Sequence, residues 1–266
     1  MKKILFIGAG NMASAIAGGI VNSKMIEPEQ IYLYDKNVNQ YAKFNFNYSS
    51  VDSIESGVNI ADYIFLSVKP QNIKEVLNDI ARLNVENKIF VSICAGITIS
   101  SIENSLGNVK VVRTMPNTPL LIGQGVTAIC KNKLVSEDEF DFVKRIFSSS
   151  GYVSEIKEDD INSLTSITSS SPAYIYLFVK SMLIGAENLG FNYEDTLEMI
   201  CKTLIGSANM ILSSDKSIDE LISMVKSPNG TTEKALNVLE DKQLIDIICQ
   251  AMSECTKRAE ELAKLN

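Results

Sequence analysis

The chain has 266 residues, 45% of them hydrophobic, a formal net charge of −7, five cysteines, and neither histidine nor tryptophan. That length suffices for two modest globular domains, and an acidic balance without any dense Lys/Arg run argues against a nucleic-acid groove. Cys94, Cys130, Cys201, Cys249 and Cys255 are scattered, odd in number and without a CxxC pair, which argues against a disulfide framework or a metal site and predicts mostly buried thiols.

The first element is Lys3-Ile4-Leu5-Phe6-Ile7, running into Gly8-Ala9-Gly10-Asn11-Met12-Ala13. It reads as a buried strand, a glycine turn and a helix start, the place where a dinucleotide pyrophosphate sits. Gly8 permits the tight turn, Gly10 lets backbone approach phosphate, and small Ala13 lets helix and strand pack closely. Because the apolar run breaks at this turn, the start is not expected to act as a secretion signal. Lys180 interrupts the best candidate for a membrane span. A cytoplasmic protein with no membrane partner is expected. The second strand, Ile31 to Tyr34, ends in Asp35, at the spacing of the acidic residue that hydrogen-bonds an adenosine ribose.

Further strands are predicted at Tyr63 to Val68, Lys88 to Cys94, Val109 to Thr114, Val126 to Cys130 and Tyr152 to Glu155, alternating with amphipathic stretches. That rhythm is the signature of a doubly wound parallel sheet covered by helices. Val68-Lys69-Pro70-Gln71 ends the third strand and opens a helix with proline in its first turn. Arg113-Thr114-Met115-Pro116-Asn117-Thr118-Pro119 is expected as a loop made rigid by its prolines, suited to stand beside a nicotinamide or to serve as a plain crossover. Ser136 to Glu139 is a capping box opening a helix with Phe140, Val143, Ile146 and Phe147, which Gly151 closes.

After Lys157-Glu158-Asp159-Asp160 the strand rhythm disappears, so the domain boundary is set there, at 1–157 and 158–266. Ala173 to Leu189 is apolar nearly all round, and Gly185, Gly206 and Ala208 offer sites for close helix approach. A subunit interface and an ordinary helical core explain this equally well. Ser227-Pro228-Asn229-Gly230-Thr231-Thr232-Glu233 is a turn into a helix whose first amides and hydroxyls suit a carboxylate or simply cap the helix. The last helix carries a wide stripe of Leu244, Ile247, Ile248, Ala251, Met252, Cys255, Ala259 and Leu262 that calls for other helices.

The absence of histidine removes the usual acid or base of alcohol dehydrogenation. Imine reduction is less demanding, because a protonated C=N is already electrophilic and needs chiefly orientation, an anion grip and a dry nicotinamide face.

Taken together, GAGNMA at Gly8, VKPQ at Val68, SICAGI at Ser92, RTMPNTPLLIGQG at Arg113, SPAY at Ser171 and SPNGTTEKAL at Ser227 resemble the pyrroline-5-carboxylate reductase family, in order and along essentially the whole chain. The resemblance implies a Rossmann-type N-terminal domain and an all-helical C-terminal dimerisation domain, in a homodimer or a larger ring of dimers. It implies an oxidoreductase that forms proline from an imine acid with NADPH or NADH. Carried over by position, Gly8, Gly10, Asn11 and Met12 cradle the pyrophosphate, and Val68, Lys69, Pro70, Ala95 and Gly96 contact the coenzyme. Asn117 lies near the nicotinamide. Ser227, Gly230, Thr231 and Thr232 hold the substrate carboxylate, with Thr232 the catalytic hydrogen-bond partner on the proton side of the ring nitrogen.

The chain departs from the family pattern at Ser169 and Ser171, where glycines are usual, and at Asn229 of SPNG. Asp35 favours a ribose diol over a 2′-phosphate, with Lys36 compensating in part. Two other readings stay open: a 3-hydroxyacid dehydrogenase using Lys180, and a dinucleotide-binding sensor without catalysis.

Overall fold

The computed structural model describes residues 2–265 of the chain. Eight strands form one sheet in the order β3-β2-β1-β4-β5-β6-β7-β8: β1 Ile4–Ile7, β2 Ile31–Tyr34, β3 Ser49–Ser50, β4 Tyr63–Leu66, β5 Ile89–Ser92, β6 Lys110–Pro116, β7 Gly125–Lys131 and β8 Gly151–Glu155. The first six run parallel. Strand β7 runs antiparallel to β6, and β8 parallel to β7. The reversal follows from chain length, because only residues 117–124 join β6 to β7, too few for the crossover a parallel neighbour needs.

Strand alternation divides the core between the two faces of the sheet. Ile4 and Phe6 point to one face and pack with Ala13, Ile16, Ala17 and Ile20 of α1 (Asn11–Asn22) and Phe140, Val143, Ile146 and Phe147 of α5 (Glu137–Ser148). Leu5 and Ile7 point to the other, against α2 (Ile54–Ile60), α3 (Ile73–Ile80) and α4 (Ile99–Leu106). Each such side chain contributes about 1.5–3 kcal/mol on burial. Helix α5 starts at the expected capping box, with Ser136 and Glu139 bonded reciprocally. Gly151 does not close it. The helix ends at Ser148 with Ser149 as its capping residue, and Gly151 opens β8 at φ +148, where a Cβ would strike the Gly125 carbonyl.

Two further expectations are corrected. Strand β6 takes in Met115 and Pro116 beyond the strand expected at Val109 to Thr114, because their partners Ala128 and Thr127 on β7 carry the ladder to Pro116. Of the five thiols only Cys94 and Cys130 are buried; Cys201 and Cys255 are half-buried on their helices and Cys249 is exposed.

Beyond Glu155 the described residues hold only helical elements: a 3-10 turn Glu158–Asp160, α6 (Ile161–Leu164), a π-helical turn Thr165–Ser169, α7 (Ser171–Asn188), α8 (Tyr193–Ser213), α9 (Ile218–Val225), α10 (Thr231–Asp241) and α11 (Leu244–Leu265). Backbone contacts divide the chain into two compact units. One reaches Ser170 and includes the segment from Cys255 onward; the other is Ser171–Glu254. The first unit runs past residue 157 because the following connector packs on the sheet: Ile161 is fully buried, and Asn162 and Thr168 bond to side chains of Arg113 and Asn117.

In the second unit the buried residues are Pro172, Leu183 and Ile200. Tyr176, Leu177, Phe178, Met199, Ile205, Met210, Ile222 and Val238 are all exposed, an apolar extent that an isolated monomer rarely shows. No helix among the described residues is long and apolar enough to cross a membrane.

Candidate active site

In the first unit the candidate residues follow strand ends along one edge of the sheet. The register pairs Ile7 with Tyr34 and Leu66, Leu66 with Ser92, and Ser92 with Arg113, so the segments after β2, β1, β4, β5 and β6 emerge side by side. This carboxyl edge is where doubly wound sheets bind ligands.

Gly8 has φ +98, and a Cβ there would stand 2.7 Å from the Ser67 carbonyl and 2.8 Å from the Val68 nitrogen. Glycine is therefore demanded twice, by the backbone angle and by the approach of the segment after β4. At Gly10, the residue before α1, φ is −75 and a Cβ would meet nothing within 4 Å. The fold itself does not need glycine there; the space is open for a ligand on the first amides of α1, among them those of Asn11 and Met12.

Asp35 is tied to this turn. Ala9 N–H donates to its Oδ2 at 2.7 Å and Asn37 N–H to its Oδ1 at 2.8 Å, while its own N–H donates to the Tyr41 hydroxyl at 3.0 Å. Lys36 turns outward to Glu75 at 2.6 Å. The hydrogen bond it donates to the Glu75 carboxylate holds the Lys36 ammonium above its ordinary pKa.

Val68, Lys69 and Pro70 leave β4 and enter a 3-10 turn, Pro70–Asn72, ahead of α3. The Ser67 hydroxyl donates to the Gly8 carbonyl at 2.6 Å, and the Cys94 thiol to the carbonyls of Leu66 and Val68 at 3.2 and 3.3 Å. Burial pushes that thiol up to about 12, so it stays neutral. Ala95 and Gly96 follow, Gly96 at φ +74 with the backbone of Leu262 and Ala263 beside it at 3.4 Å. Asn117 is buried with its amide spent on structure: Nδ2 donates to the Thr168 carbonyl at 3.0 Å, and Oδ1 accepts from Val126 N–H at 2.8 Å. It staples the end of β6 to β7 and to the π-helical turn.

In the second unit, Ser227 to Thr232 form one turn. Gly230 N–H donates to the Ser227 carbonyl at 2.9 Å, and Asn229 sits at φ +59 with its N–H on Glu233 Oε2 at 2.8 Å. Asparagine is among the residues that accept this left-handed angle most readily. A Cβ on Gly230 would strike the Ser227 hydroxyl. Gly230, the residue before α10, offers no side-chain cap, which leaves the N–H groups of the first turn without the usual capping acceptor.

Comparisons with known proteins bear on what these two sites serve. The profile described as pyrroline-5-carboxylate reductase dimerisation matches residues 158–262, and one described as NADP oxidoreductase, coenzyme F420-dependent, matches residues 3–96. The pyrroline-5-carboxylate reductase of Escherichia coli is 35% identical over 99% of both chains. The chain belongs to the pyrroline-5-carboxylate reductase family.

Solved members of the reductase family superpose along the whole chain. The Plasmodium falciparum pyrroline carboxylate reductase, solved with NADP bound, is 32% identical with a TM-score of 0.92 and covers 98% of each chain. The Coxiella burnetii reductase is 31% identical with a TM-score of 0.88, again covering 98% of each.

Several residues that hold this reductase's sheet edge together escaped the sequence reading. Ser67 and Cys94 bind backbone carbonyls of neighbouring segments, which no local pattern announces. Arg113 is 1% exposed, with its guanidinium on Glu158 at 3.1 Å and Asn162 at 3.0 Å, and its Nε has no partner. Glu158 also accepts from Ile99 N–H at 2.7 Å, at the start of α4. The one signal available was the position of Arg113 inside an apolar strand run.

Proposed function

We propose that the chain reduces 1-pyrroline-5-carboxylate to L-proline with a reduced nicotinamide dinucleotide. The observation that carries this is the full-length likeness, 35% identity over 99% of the chain, combined with a glycine turn whose second glycine is left open by the fold. Residues 1–157 take the coenzyme and residues 158–266 take the substrate and a second copy of the chain. The residues present fit a dinucleotide: the Gly8–Gly10 turn offers the α1 amides of Asn11 and Met12 to a pyrophosphate, Asp35 offers its carboxylate to a ribose, and Val68, Lys69, Pro70, Ala95, Gly96 and Asn117 follow along the same edge.

When bound, the coenzyme supplies a hydride for the imine carbon. The protein's part is to bind, orient and exclude water. The first-turn amides of α10 with Ser227, Gly230 and Thr231 grip the substrate carboxylate. Thr232 hydrogen-bonds at the ring nitrogen through its hydroxyl, where the proton is either already present on the imine or relayed in from solvent, so no histidine is required. The assembly is a homodimer, extended to a ring of dimers, and it works in the cytoplasm with its thiols free; the exposed apolar faces of α7 and α8 support self-association. The test follows the loss of reduced-nicotinamide absorbance with the imine acid and either coenzyme, using purified full-length protein. Turnover with proline as product supports the reading. Tight coenzyme binding without turnover of the imine acid overturns it in favour of a non-catalytic dinucleotide sensor.

A further inference from the structure

The segment after β2 decides which dinucleotide fits. Asp35 is fixed through both carboxylate oxygens, Oδ2 on Ala9 N–H at 2.7 Å and Oδ1 on Asn37 N–H at 2.8 Å. It cannot swing aside to admit another anion without releasing the glycine turn. The loop beyond is pinned as well, with Asp35 N–H on the Tyr41 hydroxyl at 3.0 Å, Asn39 N–H on Asn37 Oδ1 at 3.1 Å, and the Ser14 hydroxyl on the Lys43 carbonyl at 2.7 Å. Lys36, the cation next in sequence, is held by Glu75 of α3 at 2.6 Å and so is turned from Asp35 toward another carboxylate.

We propose that this chain discriminates against the 2′-phosphate and takes the unphosphorylated coenzyme, with Asp35 as the specificity-determining residue and the Lys36–Glu75 pair as its accomplice. The inference rests on the reading of the first unit as nicotinamide-binding. The same carboxylate shapes the glycine turn and reads the ribose: a diol can donate to its remaining lone pairs, whereas a phosphate meets a fixed like charge.

Isothermal titration of the full-length protein with ADP-ribose and with 2′-phospho-ADP-ribose tests this without any imine acid. The unphosphorylated fragment should bind about tenfold tighter or more. Asp35→Asn, which keeps an acceptor for Ala9 N–H and removes the charge, should bring the ratio close to one. Glu75→Gln, a substitution on the exposed face, should free Lys36 and strengthen binding of the phosphorylated fragment by about twofold to fivefold, and it decides the matter if Asp35→Asn fails to fold. Equal or tighter binding of the phosphorylated fragment by the unaltered protein overturns the proposal, as does a ratio that neither variant moves. Turnover of the imine acid with equal fragment affinities sinks this inference alone; a clear ratio with no turnover sinks the reaction and leaves this inference standing.

Discussion

Gly8 and Gly10 are two residues apart, yet substitution by alanine should separate fold from function. At Gly8 an added methyl would lie 2.7 Å from the Ser67 carbonyl and carry a φ of +98. The neighbour cannot yield freely, because Ser67 N–H donates to the Ile7 carbonyl at 2.9 Å and the Ser67 hydroxyl to the Gly8 carbonyl at 2.6 Å. Backbone strain of about 1–3 kcal/mol and overpacking of a similar size sum to about 2–6 kcal/mol. For a chain of this size that lowers the melting temperature by about 5–20 °C. Gly10→Ala meets nothing within 4 Å at an ordinary φ of −75, so its melting temperature should stay close to that of the parent. Its methyl would stand where phosphate approaches, and losing one or two charge-assisted bonds weakens dinucleotide binding by about 10–100-fold. Differential scanning calorimetry and coenzyme titration on both variants are the assay. A Gly10→Ala protein that binds the dinucleotide like the parent would refute the phosphate cradle, and a Gly8→Ala protein with parental melting would refute the steric argument.

Glu158→Gln should lower the urea midpoint by an amount equivalent to about 1–3 kcal/mol, since it strips the charge partner from a guanidinium that is 1% exposed while Glu158 itself keeps 31% exposure; an unchanged midpoint would show the pair to be neutral. Cys94 and Cys130, both pushed up to about 12 by burial, should resist thiol reagents at pH 8 until the protein is unfolded, and labelling of either in the native state would contradict their surroundings. For Glu139, burial acts to raise the carboxyl pKa, but hydrogen bonds from Lys110 and Ser136 outweigh it and the net shift is downward from 4.5. Its stabilisation is therefore present above that value and lost as pH falls through the lower folded pKa, so Glu139→Gln should flatten the acid limb of a stability profile, and two superimposable limbs would deny it. Thr232→Ala should cost about tenfold or more in kcat/KM for the imine acid with coenzyme affinity unchanged, a result that unaltered kcat/KM would overturn.

Strand positions were legible wherever burial on both faces turns a parallel strand into a continuous apolar run, as in Ile4–Ile7 and Tyr63–Leu66. Strand β3 was not, because Ser49 and Ser50 lie at the sheet edge and carry no such signal. Met115 and Pro116 read as the start of a loop because proline breaks the pattern; the Arg113 guanidinium is tolerated inside the strand through Glu158 and Asn162, which come much later in the chain. The candidate site divides the same way. Gly8 could be picked out because a tight turn after a strand demands glycine locally. The binding of Asp35 to Ala9, and of Asn117 to Thr168 and Val126, depends on long-range placement that local pattern does not encode.

The helical unit carries the point further. Ala173 to Leu189 is apolar nearly all round, and from sequence alone that pattern fits a buried helix in a monomer as well as an interface helix. The structure separates the two. Helix α7 meets α8 and buries Leu183, while Leu177 at 64% and Phe178 at 47% stay open to solvent; a Cβ on either Gly185 or Gly206 would meet nothing within 4 Å. These are small residues with no neighbour to justify them inside one chain. With about 25 cal/mol recovered per square ångström of apolar surface removed from water, exposed faces of this kind gain most from a second copy, and the dimerisation profile matched over residues 158–262 is the family's record of the same physics. The expected outcome is that the melting temperature of the full-length protein rises with protein concentration, and a dilution series that leaves it unchanged would refute the reading of these faces as covered by a second copy.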